Sequence, residues 1–187
     1  MNQQWTIPGT VLEIQRSNAV RVPEMFQTMF LTGGVVLSQV TNITGLESYA
    51  VQNWVKRGFL RPPLHKRYDL DQVCRILLIN TFKSVLPMER ICGLLSYVNG
   101  RLDDASDDII RDSDLYFLFV RLAGQAQEIG DANQAHTLIE QYLTDYVEPI
   151  PGARERVAKA LQVMLIAWLA TRMLHAVDCA MEEMKEG

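Results

Sequence analysis

Three cysteines in 187 residues, none in a Cys-x-x-Cys pair, exclude both a disulfide-stapled mini-domain and a zinc ribbon. Chain breakers are scarce as well, and 11 Gly with 7 Pro is too few for a collagen-like or low-complexity chain. With 48% apolar residues there is enough hydrophobic surface to offset the entropy of ordering, which excludes disorder. The longest uninterrupted apolar run, Val163 to Ala170, falls far short of the roughly 20 residues that span a bilayer, so no membrane partner is expected. The first 18 residues have neither a basic start nor an apolar stretch of signal-peptide length. The expectation is a soluble, cytoplasmic protein whose Cys74, Cys92 and Cys179 are reduced.

Catalytic signatures are missing too. There is no nucleophile elbow, no Gly-rich phosphate loop, and only three His, none paired with carboxylates at ligand spacing. Cys74 and Cys92 read as small buried hydrophobes, although thiolate metal sensing is the alternative for such a pair. His175 and Cys179 share a helix face but fall short of the three or four ligands a metal needs. The acidic stretch Asp103 to Asp108 lacks the Gly and terminal Glu of an EF-hand loop and reads as a solvated linker. No enzyme, no cofactor and no metal are expected.

A net charge of −4 argues at first sight against a nucleic-acid partner. Segment by segment the charge is uneven. Residues 1–35 hold Arg16 and Arg21 against Glu13 and Glu24. Residues 36–100 hold eight Lys/Arg against four Asp/Glu, and residues 101–187 hold eight against sixteen. A basic middle followed by an acidic tail suggests two functional halves, divided at the Asn99-Gly100 turn and the aspartates after it.

The basic middle carries the informative pattern. Leu37, Val40 and Ile43 give a short helix one apolar edge, and Thr44-Gly45-Leu46 supplies a tight turn. A second helix, Ser48 to Arg57, sets Tyr49/Ala50 and Trp54 at buried-stripe spacing and turns Ser48, Gln52, Asn53, Lys56 and Arg57 outward. Two short helices joined by a Gly turn, the second polar and basic outside, form the helix-turn-helix pattern. A major groove about 12 Å wide admits one such helix. After Gly58, the segment Phe59 to Tyr68 has apolar ends and a prolyl, basic middle, which reads as a small β-hairpin wing. Arg61, His65, Lys66 and Arg67 would meet flanking phosphates, with Tyr68 as a plug beneath and its hydroxyl free for a phosphate. Tyr49 joins this set of candidate DNA contacts. A strongly apolar helix, Leu70 to Lys83, and another after the Leu86-Pro87 break, Met88 to Val98, complete the head.

These residues resemble the MerR-like winged helix-turn-helix proteins. Leu37 to Leu46 is similar to the opening helix and Thr-Gly turn of that family, and Val51 to Leu60 to its Lys-x-Gly-Leu-Leu segment. Lys66-Arg67-Tyr68 stands where those proteins carry a basic pair and Tyr after the wing. The arrangement is closer still to a bacterial family known as domain of unknown function 1836. Gln52-Asn53-Trp54 replaces the usual Arg-Tyr-Tyr, and the wing is short and prolyl, so base preference does not carry over. The resemblance implies binding to double-stranded DNA and a homodimer paired through a helix after the head.

The acidic half reads as three helices: Asp112 to Ile129, Ala132 to Val147 with Gly130 between them, and an apolar one from Ala153 to Glu183. The expected architecture is mainly α: residues 1–34 packing on the head, a winged helix-turn-helix with a small β-wing over 35–100, and an all-α domain over 101–187. That last part is expected to dimerise and is a candidate to sense a small-molecule effector. The expected function is sequence-specific, dimeric regulation of transcription. The alternative is a protein-interaction module that keeps the helix-turn-helix shape without binding DNA.

Overall fold

Ten of the thirteen residues in the helix Leu70–Phe82 are buried, and the rest of the chain is arranged around it. The computed structural model describes residues 4–126 and 132–186. Strands β1 (Gln4–Thr6) and β2 (Glu13–Gln15) form an antiparallel hairpin, followed by a 3-10 turn, Arg16–Arg21, and α1 (Val22–Met29). Then come β3 (Val35–Val36), α2 (Leu37–Thr44), α3 (Ser48–Lys56), β4 (Arg67–Tyr68), α4 (Leu70–Phe82) and α5 (Met88–Asn99). The remainder is helical: α6 (Asp112–Gln125), α7 (Ala132–Tyr142) and α8 (Ala153–Glu186). The protein is mainly helical, with small two-stranded sheets only among the described residues.

The central helix is fixed at its start by a capping box. The Asp69 carboxylate accepts from the Gln72 amide at 2.8 Å, while Gln72 Oε1 accepts from the Asp69 amide at 3.0 Å. Apolar residues nearly all round α4 need neighbours on several sides, and α2, α5, α6 and α8 supply them. One buried core runs from Trp5 to Ala167, so the elements before and after Gly100 share it. Phe26 packs on Tyr116 and Phe117, and Phe82 on Phe119, which in turn meets Trp168 edge-on.

The N-terminal segment is pinned to this helix. Asn80 Nδ2 donates to the carbonyls of Gly9 (2.8 Å) and Thr44 (3.0 Å), and the buried Tyr116 hydroxyl donates to Pro8 (2.8 Å). Gly9 has φ +75°, and a Cβ there would lie 2.2 Å from the Leu77 carbonyl oxygen. Gly9→Ala is therefore expected to cost at least about 2 kcal/mol, combining left-handed strain with a backbone clash, read as a lower midpoint in urea unfolding.

Two expectations change. The segment 59–68 closes a single hairpin bridge of its own, Leu64 to Arg67, and its strand β4 goes on to pair with β3, Val35 opposite Tyr68 and Val36 opposite Arg67. Pro62 and Pro63 offer no amide donors, so the preceding stretch has little ladder to contribute. Second, α7 stops at Tyr142 rather than Val147. Beyond it the chain leaves the helix, and Tyr146 donates its hydroxyl to the Ile109 carbonyl at 2.5 Å. Helix α8 is long and apolar enough by length and composition to cross a membrane, a test that the core helix of a soluble protein passes too. The expected helix end at Ile129 and stop at Gly130 lie outside the described residues.

Candidate nucleic-acid interface

The α2–α3 unit owes its angle to Gly45, whose φ of +69° places a left-handed residue at the end of α2. Val40, Ile43 and Thr44 of α2 and Val51 and Trp54 of α3 are buried, which leaves the other face of α3 to solvent. Ser48, Gln52, Asn53, Lys56 and Arg57 all lie exposed on it. Tyr49 joins them at 73% exposure, so the buried stripe consists of Val51 and Trp54 without Tyr49.

A two-residue turn precedes β4. The Arg67 amide donates to the Leu64 carbonyl at 2.9 Å, and the two residues between, His65 and Lys66, have φ of 48° and 61°. Both in the left-handed region is the signature of a type I′ turn, where Asn-Gly is the low-energy choice. A His and a Lys at those positions are strained, and strain of this kind concentrates where a side chain is needed. His65→Asn with Lys66→Gly is expected to stabilise the fold by about 1 kcal/mol. Thermal unfolding checks it, and a loss of stability would show that His65 and Lys66 make contacts of structural value.

The basic residues differ in how free they are. Arg67 donates from Nη1 to the Gly34 carbonyl at 2.7 Å, which ties β4 to the residue before β3. Arg57 lies over the Phe59 ring and 3.5 Å from Glu89, and Arg61 lies 4.0 Å from Asp69. Lys56 and Lys66 are exposed and make no ion pair among the described residues. Tyr68 is buried at 3% exposure beneath this turn, and burial raises its hydroxyl pKa, so the side chain packs inward and does not present itself to a phosphate.

Residues with no motif to mark them hold this surface from behind. Gln72 Nε2 donates to the carbonyls of Arg61 (3.0 Å) and Pro62 (3.1 Å). Buried Arg75 donates from Nε to the Phe59 carbonyl at 3.1 Å and faces Asp112 of α6 at 3.4 Å. Polar residues on an otherwise buried helix were the signal for both. A cleft of about 940 Å³ opens nearby, bounded by Arg61, Asp69 and Asp71 on one side and by Asp112, Phe117 and Tyr142 on the other.

The thiols are dispersed. Cys74 is buried in α4 and Cys92 half-buried in α5, and burial pushes both thiol pKa values up, away from thiolate chemistry. His175 and Cys179 stand 3.8 Å apart on the exposed part of α8. No group of three His, Cys, Asp or Glu placed to hold a metal occurs among the described residues.

Comparison with known proteins gives two matches. Residues 25–119 match the family model described as Domain of unknown function (DUF1836). Over 80 residues the chain is 35% identical to the Uncharacterized protein YkrK of Bacillus subtilis (strain 168), covering 41% of this chain and 34% of that protein. The chain thus spans about a third of the length of that relative. No solved structure matches. The family match runs from α1 into α6, about half of the chain, and takes in the Phe26–Tyr116 contact that joins its two ends. The chain belongs to the DUF1836 family.

Proposed function

We propose that this protein is a sequence-specific DNA-binding regulator of transcription, with a MerR-like winged helix-turn-helix head, acting in the cytoplasm as a homodimer and without enzymatic activity. The observation that carries the reading is the pair of exposed features within residues 48–67. One is a recognition-type helix whose open face bears Gln52, Asn53 and Lys56; the other is a strained turn that displays His65 and Lys66. Gln52 and Asn53 have the amide geometry for bidentate contact with adenine, and the lysines the charge for flanking phosphates. A two-fold dimer would set its recognition helices about 34 Å apart, or a multiple of that, on the duplex. The cleft beside the wing, walled by both halves of the chain, is the place from which a small-molecule effector would act on the wing.

A second reading has its own observation. Tyr49 and Leu64 are 73% and 74% exposed on the same two features, which suits a protein-interaction surface. Fluorescence anisotropy of the chain with random duplex DNA across a salt series separates the two. DNA binding with steep salt dependence is expected. Absence of binding at low salt would favour the protein-interaction module.

A further inference from the structure

Six aspartates and three arginines line the cleft of about 940 Å³, so its charge is not balanced by its own walls. Most of these groups are matched. Arg61 lies 4.0 Å from Asp69 and Arg111 2.7 Å from Asp71, while Asp112 faces Arg75 at 3.4 Å. Asp108, Asp114 and Asp145 are left with no ion pair among the described residues, against Arg121, which lies over the Tyr142 ring. Desolvation in the cleft raises the pKa of Asp108 and Asp114, so their charged forms are held at a cost that a cation beside them would relieve.

Helix α6 joins this charge to apolar surface. Asp114, Phe117, Leu118 and Arg121 line the cleft at helical spacing, so the carboxylate is followed one turn on by a phenyl ring and a leucine. Tyr142 and Tyr146 add two more rings to the lining, and aromatic faces attract cations. A smaller cavity of about 20 Å³ shares Arg61, Asp108 and Asp112 with the cleft and adds Asn99, Arg75 and Arg101. Its third arginine is matched as well, Arg101 standing 3.1 Å from Asp103. Asn99 is 5% exposed and donates from Nδ2 to Asp112 at 2.8 Å, while its Oδ1 is buried with no donor among the described residues. A buried acceptor of this kind calls for an N–H or O–H group, and the cavity has room for one.

We propose that the cleft binds an organic cation with N–H donors, a primary ammonium or an amidinium carried on an apolar or aromatic body. The head is held at Asp108, where one N–H reaches Asn99 Oδ1. The body lies against Phe117 and Tyr146, in the field of Asp114 and Asp145. An anion fits less well, because Arg121 is the one cleft arginine left without a carboxylate among the described residues. A bare metal ion fits less well too, because no three ligating side chains are placed together among the described residues.

Isothermal titration calorimetry of the full chain with benzamidine tests the site, with benzamide and benzoate as its neutral and anionic isosteres. Benzamidine is expected to bind tighter than either by about tenfold or more. Asp108→Asn with Asp114→Asn should weaken it by about tenfold or more, whereas Asp178→Asn with Glu182→Gln on the outer part of α8 should leave it unchanged. The first pair makes no ion pair in the fold, so circular dichroism and the thermal transition should stay in place. Asp145→Asn, at an exposed position, should give a smaller loss in the same direction. No binding up to about 10 mM benzamidine, equal binding of benzamide or benzoate, or wild-type affinity in the double variant would each overturn the cation site. Phenyltrimethylammonium, which has no N–H, should bind more weakly than benzamidine, and equal affinity would remove Asn99 from the site. This ligand class rests on the effector reading of the cleft, but the calorimetry contains no DNA. Its failure would leave the anisotropy series with duplex DNA in force, and benzamidine that binds without altering DNA affinity would remove the effector role while the site stands.

Discussion

Lys56→Ala combined with Lys66→Ala should weaken binding to every duplex alike, by on the order of fiftyfold at 0.1 M salt, and reduce the slope of log affinity against log salt by about two. Of the five Lys and Arg between residues 48 and 67, Lys56 and Lys66 are the two whose side chains make no ion pair or hydrogen bond among the described residues. Arg67 spends one guanidinium nitrogen on the Gly34 carbonyl, and Arg57 is shared between Glu89 and the Phe59 ring. Lys56 stands on the exposed face of α3 and Lys66 at the tip of the turn, so together they report on both features. Arg67→Ala is expected to change the salt slope less than Lys66→Ala, since part of its role is to hold β4 beside β3. Asn53→Ala should behave differently, losing preference at one base position at a cost of about 1–3 kcal/mol there while leaving the slope in place. Anisotropy titrations at four or five salt concentrations give all of these numbers. An unchanged slope in the double variant would remove α3 and the turn from the interface.

Helices were legible wherever apolar spacing and a stop signal coincided. Gly45, Gly58 and Pro87 mark junctions the structure places within a residue or two of expectation, since each has a conformational reason that acts locally. The pairing of β4 with β3 was not legible, because a two-residue bridge across thirty residues depends on tertiary position and leaves no periodicity. The same holds for the hairpin of β1 and β2, three residues each. Within the candidate site, the polar residues of α3 followed from the side-chain pattern. The difference between free Lys66 and engaged Arg67 did not, because it turns on a carbonyl 33 residues away. The expected division at Gly100 rested on composition and charge, whereas the core depends on which apolar faces meet. Ile109 and Ile110, directly after the aspartates, are buried in that core.

Asp112→Ala is expected to cost about 3–5 kcal/mol, because it would strand a guanidinium in the interior. Arg75 is 6% exposed at its side chain, with Nη1 3.4 Å from both Asp112 oxygens, and Asn99 donates to the same carboxylate at 2.8 Å. Alanine leaves both donors without that acceptor. Asp112→Asn keeps an oxygen there and should cost far less at pH 7. Burial raises the Asp112 pKa to about 6 even against the pull of Arg75, so the ionised pair is costlier in the fold than the protonated acid. The native state therefore binds more protons than the unfolded chain between about pH 4 and pH 6, and the contribution of Asp112 to stability falls by roughly 3 kcal/mol as pH rises through that window. Asp71 acts in the opposite sense. Burial raises its pKa, but hydrogen bonds from Arg111 and Ser113 outweigh that and hold it below the ordinary value, so its contribution is lost as pH falls through that lowered pKa. Urea unfolding of wild type and Asp112→Asn from pH 4 to 7 isolates the first effect, because Asp71 is common to both. The stability of wild type relative to the variant should decline across the window; a constant difference would mean that Asp112 titrates as an ordinary carboxylate. Because Arg75 also holds the Phe59 carbonyl just past α3, Asp112→Ala should in addition lower amide protection around Phe59 and Arg61, joining the stability of α6 to the surface proposed to meet DNA.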